Sequence, residues 1–466
     1  MRVDLLVHAF PPTSTGGTEL YALRLAQGLG ARGHRVRVLT YGGAPIGAPT
    51  AMPDTPTAPI ETTFTPGDPA DGTPDVLRLH YDLAVTDNPM RDEYDNPRVA
   101  ACLRTLWAGE RPDVVHIAHC GYLSSAPLAV AAEHGIPAVV TLSDLWALCP
   151  VGTLLRHNGR LCTGPTQIGA CARCVAHMGP RGQRYAGLAD RLPAWMLGTA
   201  ARLARLPLLR NARPAAWLQS LRQRSTVVRA RMLTARALLS PSRFQIDMFE
   251  RNGYPAGSLR WAPHGIPSPQ ALRASEPPPV GDDEPLRLGY IGPLAPHKGA
   301  HLPLEAFIHL NAGARATLGY YGALPTAGRD EAYGRALVAR ITDTPGATHH
   351  GPFANQDVVR VLDALDLLIV PSLCYENTPT IIYEALAHGT PVLGSDQGGI
   401  RELIHEHSGG WLFPRGDAEA LATQLRALLV DPVAVRRAAA AIGPVPDMTA
   451  HIAAVDALYR EVAHAR

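Results

Sequence analysis

The chain reads as an α/β protein of two doubly wound domains, and three observations predict this. Short apolar runs alternate with stretches of helical periodicity, the pattern of parallel sheets whose crossovers are helices. The scheme occurs twice along 466 residues, a length too great for one ordinary domain. Between the halves lies Ser268–Pro285, with Pro277-Pro278-Pro279 and Gly281-Asp282-Asp283-Glu284, which reads as an exposed linker.

In the first half, strands are predicted at Asp4–His8, Arg35–Thr40, Val76–His80, Val114–Ala118, Ala138–Leu142 and Ala237–Ser240. In the second they are predicted at Leu286–Ile291, Ala316–Tyr321, Ala347–Gly351, Leu367–Pro371, Pro391–Ser395 and Gly410–Phe413. Residues 1–268 then form the first domain, 269–285 the linker and 286–448 the second domain. The tail 449–466 has helical spacing at Ile452, Val455, Tyr459 and Val462, and would pack back on the first domain. Gly42–Gly72, rich in Pro, Thr, Ala and Gly, reads as a long surface loop.

Composition narrows the function classes. A net charge of +2 gives no global case for nucleic-acid binding. No apolar run approaches the ~18 residues of a membrane span, and Met1–Val7 lacks a signal-peptide core, so a cytoplasmic chain is expected. Of the 43 basic residues one alone, Lys298, is lysine. A lysine kept against that bias fits a place where a compact point charge is needed and a guanidinium fork is not.

The densest chemistry lies in the second half. In Pro371–Ala385 a buried-strand run ends at Pro371 and a helix follows, with Thr378 expected as its N-cap and Pro379 as its first residue. A helix N-terminus just beyond a strand's carboxyl end suits a diphosphate, and Asn377, Thr378 and Thr380 lie at it. Thr380 and Glu384 share one helix face, from which Glu384 would accept bonds from two adjacent ribose hydroxyls. Glu376, before the helix, would accept from sugar hydroxyls. Gly292–Gly299 sets Lys298 in a glycine-flanked loop after a strand, and Gly398-Gly399 follows another.

These three pieces, in this order, resemble the nucleotide-sugar-binding domain of the family 4 retaining glycosyltransferases. The family's Glu–seven residues–Glu pair matches Glu376 and Glu384, and its Gly-x-Leu-x-x-x-Lys-Gly loop matches Gly292–Gly299. The resemblance implies the GT-B fold, two Rossmann-like domains facing across a cleft. It departs at Pro293, where the family usually has an Arg that shares the diphosphate with the lysine; Lys298 would carry more of that load, or an Arg from elsewhere would assist.

In the first half, the family's Gly-Gly loop against the donor phosphates matches Gly16 and Gly17. The family's strand-end histidine that contacts the reacting sugar matches His119, while His116, in mid-strand, reads as a core histidine. Ser143 stands where relatives often carry His, and Asp144 remains. Asp144 and His264 are assigned to the acceptor side.

Two insertions stand apart. In 149–180, Cys149, Cys162, Cys171 and Cys174 look like a closed, structural zinc site; free or redox cysteines and an iron–sulfur site stay open. Residues 181–236 hold 12 Arg against the single acid Asp190, with Trp195, Leu197, Leu203, Leu206, Leu208, Leu209 and Trp217 interspersed. They read as a helical insertion packing its leucines on the domain, or as a peripheral contact with an anionic membrane face.

The resemblance implies hexosyl transfer from a nucleotide-diphosphate sugar to a saccharide or lipid-linked saccharide, with retention and by front-face displacement. The products would serve surface polysaccharides or glycoconjugates. With no suitably placed Asp-x-Asp, no metal cofactor is expected for catalysis. A sugar-nucleotide epimerase or phosphorylase, and a non-catalytic glycan-binding protein, are the alternatives on the same fold.

Overall fold

A computed structural model describes residues 1–43, 55–68, 72–165, 167–178, 186–203, 213–272, 284–310, 315–325 and 328–464. Most of the expected linker, and Leu206, Leu208 and Leu209 of the arginine-rich segment, lie outside the described residues. The chain divides into two compact units. The first comprises Met1–Pro241, Gln245–Ala262 and Ile452–Arg466; the second comprises Ser242–Phe244 and Pro263–His451.

The first unit carries an eight-stranded sheet: β1 (Arg2–Val7), β2 (Arg35–Tyr41), β3 (Glu61–Thr65), β4 (Asp75–His80), β5 (Val114–Ile117), β6 (Ala138–Thr141), β7 (Ala237–Ser240) and β8 (Leu259–Trp261). Its order is β3-β4-β2-β1-β5-β6-β7-β8, parallel except for β3, which runs antiparallel to β4. Two strands differ from the sequence reading. β3 lies inside the expected surface loop; every residue of Glu-Thr-Thr-Phe-Thr is exposed, so no buried face marks it as an edge strand. The three-residue β8 is too short for a period to register.

The order reverses between β1 and β5, because the chain builds outward from β1 in one direction and from β5 in the other. Side chains after those two strands therefore meet in the crevice at the sheet's carboxyl edge. The helix Met448–His464 lends the first unit its residues from Ile452 onward. The fully buried Tyr459 hydroxyl pairs with His116 Nδ1 at 2.5 Å, and His116 Nε2 with Thr141 at 2.8 Å. With both ring nitrogens engaged and no exposure, His116 is a core residue.

The second unit carries six parallel strands: β9 (Leu286–Ile291), β10 (Ala316–Tyr321), β11 (Ala347–Gly351), β12 (Leu367–Val370), β13 (Val392–Ser395) and β14 (Gly410–Phe413). Their order β11-β10-β9-β12-β13-β14 reverses between β9 and β12. One apolar cluster, with Leu288, Phe307, Tyr320 and Leu425, fills one face; another, with Leu362, Ile382, Ile400 and Ile404, fills the other. Pro263–Ser268, assigned to the first domain by sequence, belong to the second unit. Ile266 is fully buried in that unit's core and donates its N–H to Pro446 at 3.1 Å, a pairing between distant segments that no local pattern announces.

Candidate functional site

In the second unit, β9 delivers Lys298 and β12 delivers Glu376 to the two sides of the reversal point. Lys298 Nζ donates to Glu376 Oε1 at 2.7 Å, and Ser372 Oγ donates to the same oxygen at 2.8 Å. Burial alone would push the lysine pKa down, but Glu376 more than reverses this and holds it above its ordinary value. Burial likewise pushes the Glu376 carboxyl up, yet Lys298 and Ser372 hold it below the usual range. Both groups therefore stay charged across the neutral range.

The loops carrying the pair are locked together. Leu373 N–H bonds the His297 carbonyl at 2.9 Å, and the Gly399 N–H bonds the Glu376 carbonyl at 2.9 Å. Gly299 is left-handed (φ 67), and a Cβ there would fall 2.1 Å from the Pro371 carbonyl oxygen. At Gly399 a Cβ would lie 1.4 Å from the Asn377 carbonyl oxygen, so the second glycine of the pair lets the helix Gly398–Glu406 close on the Glu376 loop. Gln397 Nε2 donates to the carbonyls of Ser372 and Cys374. Arg415 donates to the Leu373 carbonyl at 3.0 Å, which sets a guanidinium beside the loop that leads to Glu376.

The helix begins later than the sequence suggests. It spans Thr380–His388, with Pro379 as N-cap (ψ 115) and no side-chain capping bond, so Thr378 is not its cap. Pro379 has no N–H to give and keeps an extended ψ, which moves the first helical residue to Thr380. Glu384 is buried on this helix, Thr380 is partly exposed at its start, and Asn377 is buried before it, accepting from Ser242.

In the first unit, His8 follows β1, His119 follows β5 and Asp144 follows β6. They line a cavity of about 300 Å³ with Tyr81, Glu93 and Tyr122. His119 Nδ1 accepts the Gly121 N–H at 2.8 Å, which leaves Nε2 as the proton-bearing nitrogen facing Asp144 Oδ2 at 3.0 Å. Burial would lower the His119 pKa, but Asp144 holds it above its ordinary value; the same pairing keeps Asp144 below its own. His8 packs on His119 with ring centroids 4.2 Å apart, and burial, reinforced by His119, pushes it down to about 3. His8 was missed by sequence reading, since a lone histidine at a first strand's end carries no motif.

Gly17 opens the helix Gly17–Ala31 with Gly16 as its N-cap. The carboxylate of Glu19 sits in that first turn, buried, taking a bond from Ser14 Oγ at 2.6 Å and lying 3.5 Å from His8 Nε2. Ser143 turns away to the Ala118 carbonyl (2.7 Å). His264 lies in the second unit, its ring 5.4 Å from that of His451.

Cys149, Cys162, Cys171 and Cys174 line one small space of about 20 Å³, and all four are free thiols. Among the described residues, the group whose ligand atoms lie within 4.8 Å of one another is His157, His177 and Asp190, and not a set of these cysteines. No described helix is long and apolar enough to cross a membrane.

Residues 285–431 match the family described as "Glycosyl transferases group 1", and residues 16–191 match the "Glycosyl transferase 4-like domain". The chain is 43% identical over 75 residues to the amylovoran biosynthesis glycosyltransferase AmsK of Erwinia amylovora, a match covering 15% of this chain and 18% of that protein. It is 27% identical over 456 residues to the 2-deoxystreptamine N-acetyl-D-glucosaminyltransferase of Streptomyces fradiae, covering 97% and 91%. The sucrose-phosphate synthase of Thermosynechococcus elongatus superposes with a TM-score of 0.65 at 18% identity, over the whole of both chains. HepE of Anabaena, in complex with UDP and glucose, superposes at 0.58 and 16% identity, over 99% of this chain and all of that one. The two largely parallel sheets and both family matches agree: the chain belongs to the group 1 glycosyl transferases, GT4-type members of the GT-B fold.

Proposed function

We propose that the protein transfers a hexosyl group from a nucleoside-diphosphate sugar to a hydroxyl of a saccharide or lipid-linked saccharide, with retention, in polysaccharide or glycoconjugate synthesis. The observation that carries this is the Lys298–Glu376 pair at the reversal point of the second sheet. An ammonium held charged there, paired with Glu376 four residues before the helix that starts at Thr380, offers stabilisation to the diphosphate as it leaves. Glu376 is the acceptor for sugar hydroxyls, and Glu384 the acceptor for the ribose. Gly16, Gly17, Asn377 and Thr378 complete the donor contacts in this reading. The complexes of HepE with UDP and glucose, and with UDP-glucose, support a uridine nucleotide as the first donor to try.

The residues offer no strong candidate for a covalent nucleophile, which favours front-face displacement with the leaving phosphate taking the acceptor proton. In this reading the acceptor enters the cavity around His119 and Asp144, which Tyr81, Tyr122 and Trp146 also line. The match to the 2-deoxystreptamine N-acetyl-D-glucosaminyltransferase, over 97% of this chain, supports 2-deoxystreptamine as a second acceptor to try beside saccharides. The described part of 181–236 exposes Trp195 (70%) and Leu203, which supports a peripheral contact with an anionic lipid surface.

The test is a thermal-stabilisation screen of nucleotide sugars, then product analysis with the stabilising donor. A donor at about 100 times its Kd stabilises by about 2.7 kcal/mol. The product's anomeric configuration, read by NMR, should equal the donor's. An epimer or a free sugar phosphate from donor alone would establish the epimerase or phosphorylase alternative. Binding of glycans without any donor turnover would establish the glycan-binding one.

A further inference from the structure

The insertion between β6 and β7 contains a cluster that hexosyl transfer does not use. A hairpin closes by the Leu155–Leu161 bridge, with Arg156 N–H donating to Arg160 at 2.8 Å, and carries His157 at its turn. The helix Ile168–Met178 carries Cys174 and His177 three residues apart, hence on one face. The helix Ala186–Arg191 carries Asp190, the one acid of the arginine-rich segment.

These elements converge. The His157 and His177 rings stack 4.7 Å apart at 12°, and His177 Nε2 pairs with Asp190 Oδ1 at 2.8 Å. The donor atoms of all three residues lie within 4.8 Å of one another. Cys174 Sγ lies 4.0 Å from His157 Nδ1. In a tetrahedral zinc site with bonds of about 2.0 Å to nitrogen and 2.3 Å to sulfur, ligand atoms stand about 3.5 Å apart, so the histidine and aspartate group needs only a small closure, while Cys174, which lies outside that group and adjoins it through His157, must swing further in.

We propose that this insertion binds one zinc ion through His157, Cys174, His177 and Asp190. Two imidazoles, a thiolate and a carboxylate form the N/O/S set that zinc accepts, and four protein ligands leave no open position, so the site is structural. The helix that follows these elements leaves Trp195, Met196 and Leu203 exposed, so it adds little apolar packing there. A metal holding three such elements supplies what a small core does not. Cys149, Cys162 and Cys171 stay in the adjoining small space as thiols and are not ligands.

The experiment uses the full chain, stripped with a chelator and reloaded with zinc or cobalt alone. Wild type should hold one equivalent by elemental analysis, and its cobalt form should show a single-thiolate charge-transfer band with tetrahedral d–d absorption. His157→Ala with His177→Ala should weaken binding at least about tenfold. The milder Asp190→Asn should weaken it too, with circular dichroism unchanged, which guards against simple misfolding. Cys149→Ser with Cys162→Ser should keep the full equivalent. The proposal is overturned if wild type holds no metal, or if the histidine variants keep it while Cys149→Ser with Cys162→Ser loses it, the pattern of a four-cysteine site.

Discussion

Lys298 Nζ and Glu376 Oε1 stand 2.7 Å apart although 78 residues separate them in sequence, and the lysine is the only one in the chain. The two residues are therefore one electrostatic unit, and neither can be altered without shifting the other's pKa.

Lys298→Ala leaves Glu376 partly buried with only Ser372 to bond it at full strength. Its pKa should rise, and kcat/KM for donor should fall at least about 100-fold, since a preorganised charge at a developing oxyanion is removed. Glu376→Gln keeps the shape and should cost less in stability than in activity. Equal activity in both variants and wild type would remove the pair from the mechanism.

The pair also sets a pH window. Glu376 has a lowered folded pKa, so its stabilisation is present above the unfolded carboxyl value and is lost as pH falls through the folded one. Lys298 has a raised pKa, so its contribution is complete below the unfolded lysine value and is lost as pH rises through the folded one. Donor binding should be flat between those limits, measured by calorimetry from acid to alkaline pH.

His119 should titrate above an ordinary histidine, because Asp144 outweighs burial. Its stabilisation is present below the unfolded imidazole value and disappears as pH rises through the raised one. In Asp144→Asn, NMR titration of His119 should move downward, since burial is then opposed only by the weaker charges of Glu19 and Glu93; an unmoved His119 would refute the coupling.

Arg224 is buried, gives two bonds to Glu93 at 2.7 and 3.0 Å and one to the Trp146 carbonyl at 2.7 Å, and lies 4.7 Å from the Trp146 ring centre. Arg224→Ala should destabilise the protein by about 3–5 kcal/mol, the cost of breaking a buried pair. Glu93 and Trp146 line the His119 cavity, so acceptor KM should also rise while donor binding holds. Chemical denaturation and steady-state kinetics separate the two effects.

Gly399→Ala forces a methyl into the Asn377 carbonyl, a clash between backbone and a new Cβ that no rotamer relieves. Donor binding should drop sharply through displacement of the Glu376 loop. Gly30→Ala, where a Cβ meets nothing, should leave donor binding and activity unchanged.

Much of this protein was legible in its sequence because the controlling physics is local. Buried parallel strands need unbroken apolar runs and their crossover helices need a 3.6-residue period, so twelve of the strands could be read directly. β3 and β8 could not: one buries nothing and the other is three residues long. The glycine, lysine and glutamate motifs of the second unit were legible too, as order and residue type are written in the chain. What the tertiary structure alone decided is which distant groups meet. The reversal of strand order between β9 and β12 brings Lys298 to Glu376, and that between β1 and β5 brings the unforeseen His8 against His119. Arg224 reaches Glu93 from a helix far along the chain. Such pairings follow from sheet order and burial, which are set by the free energy of the whole fold and not by any window of sequence.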